Sequence, residues 1–496
     1  MSVLYCSKCD INFDGNFCPN CGDKLCNNSI YIFPPLSLLR HGKKNYVESD
    51  EYLQKTAMIL QQTLLNYRVY ATVTNISCGP SVTRYELQPE QGIRISSIVN
   101  LANEIKLNLA APTIRIEAPI PGKAAVGIEV PNKESTAVML RDLLETEVFQ
   151  NYESNVAFAI GRNITGRIAI YDMKNLSPLL ITGVSKSGKS TCINSLIMSI
   201  LYKSDPKDVK LIMIDPKVVE LSVYNGIPHL MIPVVSDPKK AAGALNWAVS
   251  EMMKRCDLFA QFNASNLKGF NEKVDNMKGN GDKKIEKLPQ IMIIIDGLAD
   301  LMMFQPNEIE SAIYQLSRLG SAVGIYLVIS TNDISLDVVT KLIYQSISSR
   351  ISFKTTTKTN CKTRINIQEE KKLLNNGDML FYPFVDHEPV RIQGTFVSDE
   401  EIQLVSRFLE MHSDINPCFP NFQEEDRDAY FIDAGKFIIE KGTASIGMLQ
   451  RVFKIGFNRA ARIMDQLAEA GVVGEEKGIK PRKILMTLEE FENYFE

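Results

Sequence analysis

The stretch Gly183-Val184-Ser185-Lys186-Ser187-Gly188-Lys189-Ser190 constrains this chain more than any other. It follows the apolar run Leu179-Leu180-Ile181 and precedes a helical pattern from Cys192 to Leu201, so it joins a strand to a helix. G-x-x-x-x-G-K-[ST] in that setting makes a loop whose backbone wraps phosphates, with N–H groups at the helix start binding anionic oxygens. Gly183, Ser185, Ser187, Gly188, Lys189, Ser190 and Thr191 are the expected nucleotide-binding residues. Lys189 bridges the outer phosphates and Ser190 ligates Mg²⁺. The bland alternative is an ordinary glycine-rich turn, against which the two flanks argue.

Such a loop needs a parallel sheet beneath it, and the sequence supplies one. Leu211-Ile212-Met213-Ile214, Ile291 to Ile295 and Ile325 to Ile329 are apolar throughout and alternate with helical segments. Strands apolar on both faces belong in a parallel sheet covered by helices on each side, an α/β fold. Asp296 ends the second of these runs. A carboxylate there reaches the sheet's C-terminal edge, where it can hold magnesium through water; the competing role is to cap the next helix. Many oligomeric P-loop ATPases place Glu directly after this Asp to polarise the attacking water. Here the position is Gly297, and Asp300 lies three residues into the following helix, turned about 300° around the axis. Nucleotide binding is thus better supported than hydrolysis, and restoring Glu at 297 is expected to raise turnover.

A chain of 496 residues exceeds one hydrophobic core and divides into several domains. No apolar run approaches the roughly 20 residues that span a bilayer, and the N-terminus lacks a secretion pattern, so a cytoplasmic location is expected. In a reducing compartment, Cys6-Ser7-Lys8-Cys9 and Cys18-Pro19-Asn20-Cys21 read as two knuckles presenting four thiolates to a structural Zn²⁺. A redox pair is the alternative, but a segment this short needs a staple. The net charge of −3 hides an asymmetry: Lys441 to Lys483 holds nine basic and four acidic residues. A basic module on an acidic body can direct binding to phosphate backbones.

The chain is expected to divide into a zinc ribbon at 1–28, a mixed α/β domain at 29–168, a P-loop domain at 169–411, a linker at 412–428 and a basic module at 429–496. The polar stretch from Asn271 to Lys287 reads as a surface insertion. In the basic module, Ser445 to Lys454 and a second helix carrying Ala460, Ile463, Met464 and Leu467 flank a turn at Ile455-Gly456-Phe457, the helix-turn-helix pattern. Gly471-Val472-Val473 and Ile484-Leu485-Met486 flank a basic loop, as in a winged variant. Asn458, Arg459 and Arg462 sit near the start of the second helix, the end that enters the major groove, while Arg451 and Lys454 suit phosphates. A protein-interaction helix is the bland reading.

Longer strings carry a resemblance. They are Ala118-Pro119-Ile120-Pro121-Gly122-Lys123, Gly127-Ile128-Glu129-Val130-Pro131, Leu211 to Lys217, Gly226-Ile227-Pro228-His229-Leu230, Leu298-Ala299-Asp300-Leu301-Met302, Asn376-Gly377-Asp378-Met379-Leu380 and Phe457-Asn458-Arg459-Ala460-Ala461-Arg462. With the P-loop, they make the chain resemble the FtsK/SpoIIIE family from about Pro34 to Met486. The resemblance implies a RecA-like P-loop ATPase core with an α/β motor subdomain, a hexameric ring through which double-stranded DNA passes, and a winged-helix γ domain reading short chromosomal sequences. It implies ATP-driven DNA translocation in DNA movement or chromosome partition. The alternative is a hydrolysis-impaired, ATP-binding DNA-recognition adaptor of the same fold. The chain departs from the family pattern at Gly297, at Gly320-Ser321-Ala322-Val323-Gly324-Ile325 and at Thr331-Asn332-Asp333-Ile334, while Arg350 remains. It begins with a cysteine-rich segment where members often carry membrane helices.

Overall fold

The computed structural model describes residues 31–42, 49–278, 286–332, 335, 338–355, 370–383, 389–412, 430–453, 455–474, 482–488 and 491, with the backbone alone of 3–6 and 11–14. Two compact units, Met1–Phe419 and Pro420–Glu496, emerge.

The first unit is organised by a ten-stranded sheet. Val209–Ile214, Gln290–Asp296, Ile325–Thr331, Leu179–Thr182 and Ser349–Phe353 lie side by side and parallel. Ile291 to Ile295 are at most 1% exposed, as a strand covered on both faces requires. The sheet continues antiparallel through Asp378–Tyr382, Val390–Phe396, Ala157–Asn163 and Ile168–Asp172, and Val138–Met139 pairs with Val390–Phe396. The helix Lys189–Leu201 is buried on nearly every side, consistent with its apolar circumference. Pro238–Gln261 starts with the Asp237 carboxylate accepting from the Lys239 amide and with proline in its first turn.

A smaller antiparallel sheet in the same unit has the order Ala71–Cys78, Val82–Pro89, Val126–Pro131, Arg115–Glu117. The helix Asp50–Asn66 covers it with Leu53, Ala57, Leu60 and Leu64, spaced to share one face. Its start is capped by the Ser49 hydroxyl, which accepts from the Tyr52 amide.

Two expectations need correction. A boundary at 168/169 cuts into the hairpin of Ala157–Asn163 and Ile168–Asp172, which belongs to the larger sheet; the smaller sheet ends at Pro131. The 271–287 stretch is not simply a surface loop, because Leu267–Lys278 is a helix that buries Phe270 and Val274. Asn271 ties it down by exchanging two hydrogen bonds with the Leu288 backbone.

The second unit packs Phe431–Lys441, Ile446–Phe453 and Phe457–Glu469 around Phe431, Leu449, Ile463, Leu467 and Phe491. Antiparallel bridges join Val473 to Ile484 and Ala444 to Arg482, placing a small wing beside the helices. Gly435 is required here, since a Cβ would lie 2.3 Å from the Phe491 ring. No helix among the described residues is long and apolar enough to cross a membrane.

Candidate functional site

The strand Leu179–Thr182 delivers the glycine-rich loop to the C-terminal edge of the parallel sheet, and Lys189 opens the helix behind it. Gly188 has φ +120°, and a Cβ there would lie 2.8 Å from the Gly377 Cα, so only glycine serves. The loop is pinned by the Val184 amide donating to the Lys354 carbonyl at 3.1 Å and the Gly377 amide donating to the Ser187 carbonyl at 3.0 Å.

A cavity of about 810 Å³ opens over this edge. Ser185, Gly188, Lys189, Ser190 and Thr191 line it, with Lys186, while the buried Ser187 and Gly183 pack beneath and shape the loop. Asp296 lines it from its strand end as expected, beside Gly297 and Asp300. Ser81, Ser135, Thr136 and Ala137, Asn376 and Gly377, and Gln393 to Phe396 complete it, so residues from near the smaller sheet share the wall.

Sequence reasoning missed Asp215, Lys217 and Glu220. Asp215 ends an apolar parallel strand just as Asp296 does, a signal that was present but unused. Its carboxylate accepts from the amides of Lys217, Val219, Glu220 and Leu221 at 2.9–3.1 Å, folding the loop that carries Glu220 into the cavity. Ser190 Oγ donates to Glu220 Oε1 at 2.8 Å, and Lys189 Nζ donates to the Val184 carbonyl at 2.9 Å. Lys217 Nζ pairs with Asp300 Oδ2 at 3.0 Å, so Asp300 reaches the cavity wall despite its position on the helix.

The charges are unbalanced in a way that suits the expected ligands. Burial pushes the Asp296 carboxyl above the usual range, Asp215 and Glu220 push it further, and Lys189 opposes them. Burial holds the Lys189 ammonium below its ordinary value, against the pull of Asp296 and Glu220. Hard oxygen donors crowding one another fit a divalent cation such as Mg²⁺, whose charge would relieve the strain on Asp296. The loop amides, Lys189 and Lys217 fit phosphates.

Gly297 has φ +96°, and a Cβ on it would stand 2.9 Å from Asp300 Oδ2. This geometry works against the expectation that Glu at 297 would raise turnover: an L residue is strained there and its side chain would meet a carboxylate of like charge. Thr331 and Asn332 line the cavity, while Asp333 and Ile334 fall outside the described residues. Arg350 stacks on Tyr344, 3.7 Å from its ring centroid.

Of the four thiols expected to bind zinc, Cys6 ends a described strand without a described side chain, and Cys9, Cys18 and Cys21 lie outside the described residues. In the second unit, Arg451, Arg459 and Arg462 are exposed. Arg451 Nε donates to the Gly447 carbonyl at 3.1 Å, and the Arg459 guanidinium lies 4.9 Å from the Tyr430 ring centroid. Asn458 belongs to the second helix but its side chain is not described, and Lys454 lies outside the described residues. Burial of Ala460, Ile463, Met464 and Leu467 leaves Arg459 and Arg462 on the outer face.

The FtsK/SpoIIIE family profile matches residues 139–347, starting where the larger sheet starts. The FtsK alpha domain matches 33–132 and the FtsK gamma domain 425–487. The chain belongs to the FtsK/SpoIIIE family. Its FtsK relatives include the protein named DNA translocase FtsK of Clostridium acetobutylicum, 49% identical over 480 residues, covering 94% of this chain and 62% of that protein. The Clostridium tetani protein of that name is 47% identical, covering 92% and 63%. The chain thus spans a little under two thirds of these relatives. Among solved structures, the conjugation coupling protein TcpA of pCW3 with ATPγS shares the fold, with a TM-score of 0.50 and 19% identity over 72% of this chain and 100% of that one.

Proposed function

We propose that this chain is an ATP-hydrolysing motor that moves double-stranded DNA in the cytoplasm, in DNA movement or chromosome partition. The observation that carries the reading is the convergence of Lys189, Ser190, Asp296 and Glu220 on one cavity in a chain whose relatives are named DNA translocases. Lys189 and the loop amides hold the phosphates; Ser190 and Asp296 hold Mg²⁺, which supplies charge neutralisation to the transferring phosphoryl group. The family supports a homo-hexameric ring, with the lobe carrying the smaller sheet and the P-loop lobe forming its motor. The winged helix of the second unit grips duplex DNA through Asn458, Arg459 and Arg462 at bases and through Arg451 and Lys454 at phosphates. Cys6, Cys9, Cys18 and Cys21 hold one structural Zn²⁺ in a ribbon at 1–28. Four acidic side chains in the cavity besides the glycine at 297 speak against the hydrolysis-impaired adaptor.

The test is ATP turnover by the full chain with and without duplex DNA, together with displacement of a third strand from a DNA triplex. Duplex-stimulated turnover and strand displacement are expected, and both should vanish in Lys189→Ala while its Trp fluorescence stays native. Tight nucleotide binding with no turnover on any DNA would overturn the motor reading.

A further inference from the structure

We propose that Phe396 is the platform on which the adenine base of ATP stacks, and that the uncharged wall of the cavity is its nucleoside pocket. Resting on the ATP-hydrolysing reading above, this assignment fixes which end of the cavity takes which end of the nucleotide.

The cavity wall is chemically divided. Its lysines and carboxylates come from the phosphate loop with its helix start, from residues 215–220, and from Asp296 with the helix that follows it. The remaining wall, made of Ser81 and residues 135–138, 374–377 and 393–396, carries no charged side chain. A nucleoside triphosphate is divided in the same way, with its charge on the phosphates and a neutral ribose and base. Setting the neutral end against the lysines and carboxylates would cover those ions without pairing them, which is costly. The uncharged wall therefore faces the nucleoside.

Within that wall Phe396 is the only aromatic residue among the described residues lining the cavity, and it is 45% exposed. It ends the strand Val390–Phe396, directly after the buried Thr395. Alternation along a strand turns Thr395 inward, where its hydroxyl donates to the Ala159 carbonyl at 3.4 Å, and turns Phe396 to the opposite face. A half-exposed ring leaves apolar area in water. The flat face of a base covers such a ring well, because offset stacking suits both π-systems.

The position fits a base tethered to the phosphate loop. The Gly377 amide donates to the Ser187 carbonyl at 3.0 Å, and the Gly377 carbonyl accepts from the Gly394 amide at 2.8 Å. Gly394 is thus joined to the loop through one residue, and Phe396 stands two residues further along its strand, roughly 7 Å away. A base carried through a ribose from a phosphate on the loop reaches that far. The platform is also stiff. Thr395 and Phe396 pair with Val138 and Met139. The chain before Val138 is pinned by the Thr136 amide donating to the Pro80 carbonyl at 2.8 Å and the Asn132 amide donating to the Ser81 carbonyl at 3.0 Å. A stacking surface held this way needs little ordering when the base arrives.

The experiment titrates full-length wild type, Phe396→Ala, Phe396→Leu and Phe396→Trp with ADP and with inorganic tripolyphosphate, both in Mg²⁺, by calorimetry. Tripolyphosphate offers the phosphates without a base. Losing one stacked base is worth about 5- to 100-fold in affinity. Phe396→Ala and Phe396→Leu should therefore bind ADP at least about fivefold more weakly and tripolyphosphate within about twofold of wild type. Leucine keeps the apolar volume, so it separates stacking from packing. Phe396→Trp should hold ADP within about threefold of wild type, and its added indole emission should be quenched by ADP and not by tripolyphosphate. Unchanged ADP affinity in Phe396→Ala, equal weakening of both ligands, or no quenching of Phe396→Trp by bound ADP would each overturn the assignment while leaving the ATP reading intact. Wild type that binds neither ligand would overturn both.

Discussion

Replacing Glu129 by Gln tests the buried ion network between the two sheets of the first unit. Glu129 lies in Val126–Pro131 of the smaller sheet and is 1% exposed. Its Oε1 accepts from Arg84 at 2.6 Å and Arg115 at 3.2 Å, and its Oε2 accepts from Arg391 at 2.7 Å. Arg391 also makes a two-pronged pair with Asp378, at 2.9 and 2.6 Å, on the neighbouring strand of the larger sheet. Burial alone would push Glu129 up; the guanidiniums of Arg391, Arg115 and Arg84 outweigh it and hold the carboxyl at about 2 instead of 4.5. By linkage that depression is worth about 3 kcal/mol of stability at neutral pH. Removing one partner of a buried pair costs roughly 3–5 kcal/mol by a separate route, since it strands the remaining charges. The Gln variant should lose about 3 kcal/mol or more.

Trp247 makes the assay selective. It is the only tryptophan of the chain and is buried in Pro238–Gln261 of the first unit, so its fluorescence during urea unfolding reports on that unit alone. The pH dependence supplies a second readout. A depressed carboxyl contributes its stability fully above about pH 4.5 and loses it as pH falls toward about 2. The gap between wild type and Glu129→Gln should therefore be widest at neutral pH and close across that window. A gap under about 1 kcal/mol at pH 7, or one independent of pH, would refute the claim that the ion network holds the two sheets together.

Gly297→Glu should cost about 1–3 kcal/mol in the same unfolding assay, because of its φ of +96° and the Asp300 carboxylate, and should leave ATP turnover no faster than wild type. A tenfold gain in turnover would mean that the backbone relaxes to seat a catalytic side chain there. Protein purified without chelators should carry one zinc per chain by elemental analysis, and Cys18→Ser should lose it. Arg459→Ala should weaken binding of the full chain to a selected duplex by roughly 1–3 kcal/mol at one base position, whereas Arg451→Ala should weaken all duplexes alike and flatten the salt dependence. Equal effects of the two substitutions on every duplex would remove the recognition helix from the DNA.

The phosphate loop, Asp296 and the two helices of the helix-turn-helix were legible because each rests on a local pattern: a spacing of glycines, an apolar run, a period of 3.6 residues. Glu220 was not, because it enters the cavity through a loop folded by Asp215 and polar residues in loops have no period. The boundary misplaced at 168/169 has the same cause on a larger scale. Ala157–Asn163 and Ile168–Asp172 look like any antiparallel hairpin, and their membership of the larger sheet is decided by pairing with Val390–Phe396, more than 220 residues away. Alternation reports that a strand is half-buried, not which strand it meets. Gly297 was noticed for the side chain it lacks, but its left-handed backbone, which strains any side chain added there, is a property of the fold.

The seam at Glu129 also bears on how ATP can do work here. Asp378 directly follows Gly377 in the cavity wall, and Arg391 stands two residues before Gln393, which also lines it. The network bonded to Glu129 is thus covalently adjacent to the nucleotide cavity, and Ser81 and Thr136, from the chain flanking the smaller sheet, reach the same wall. Opening a hinge between the two sheets would expose or strand Glu129, Arg391 and Asp378, at several kcal/mol for each unpaired charge. Motions that leave these pairs closed cost far less. A change at the cavity is therefore passed to both sheets as one body, together with the loop of residues 217–221, which four amide hydrogen bonds tie to Asp215 in the cavity wall.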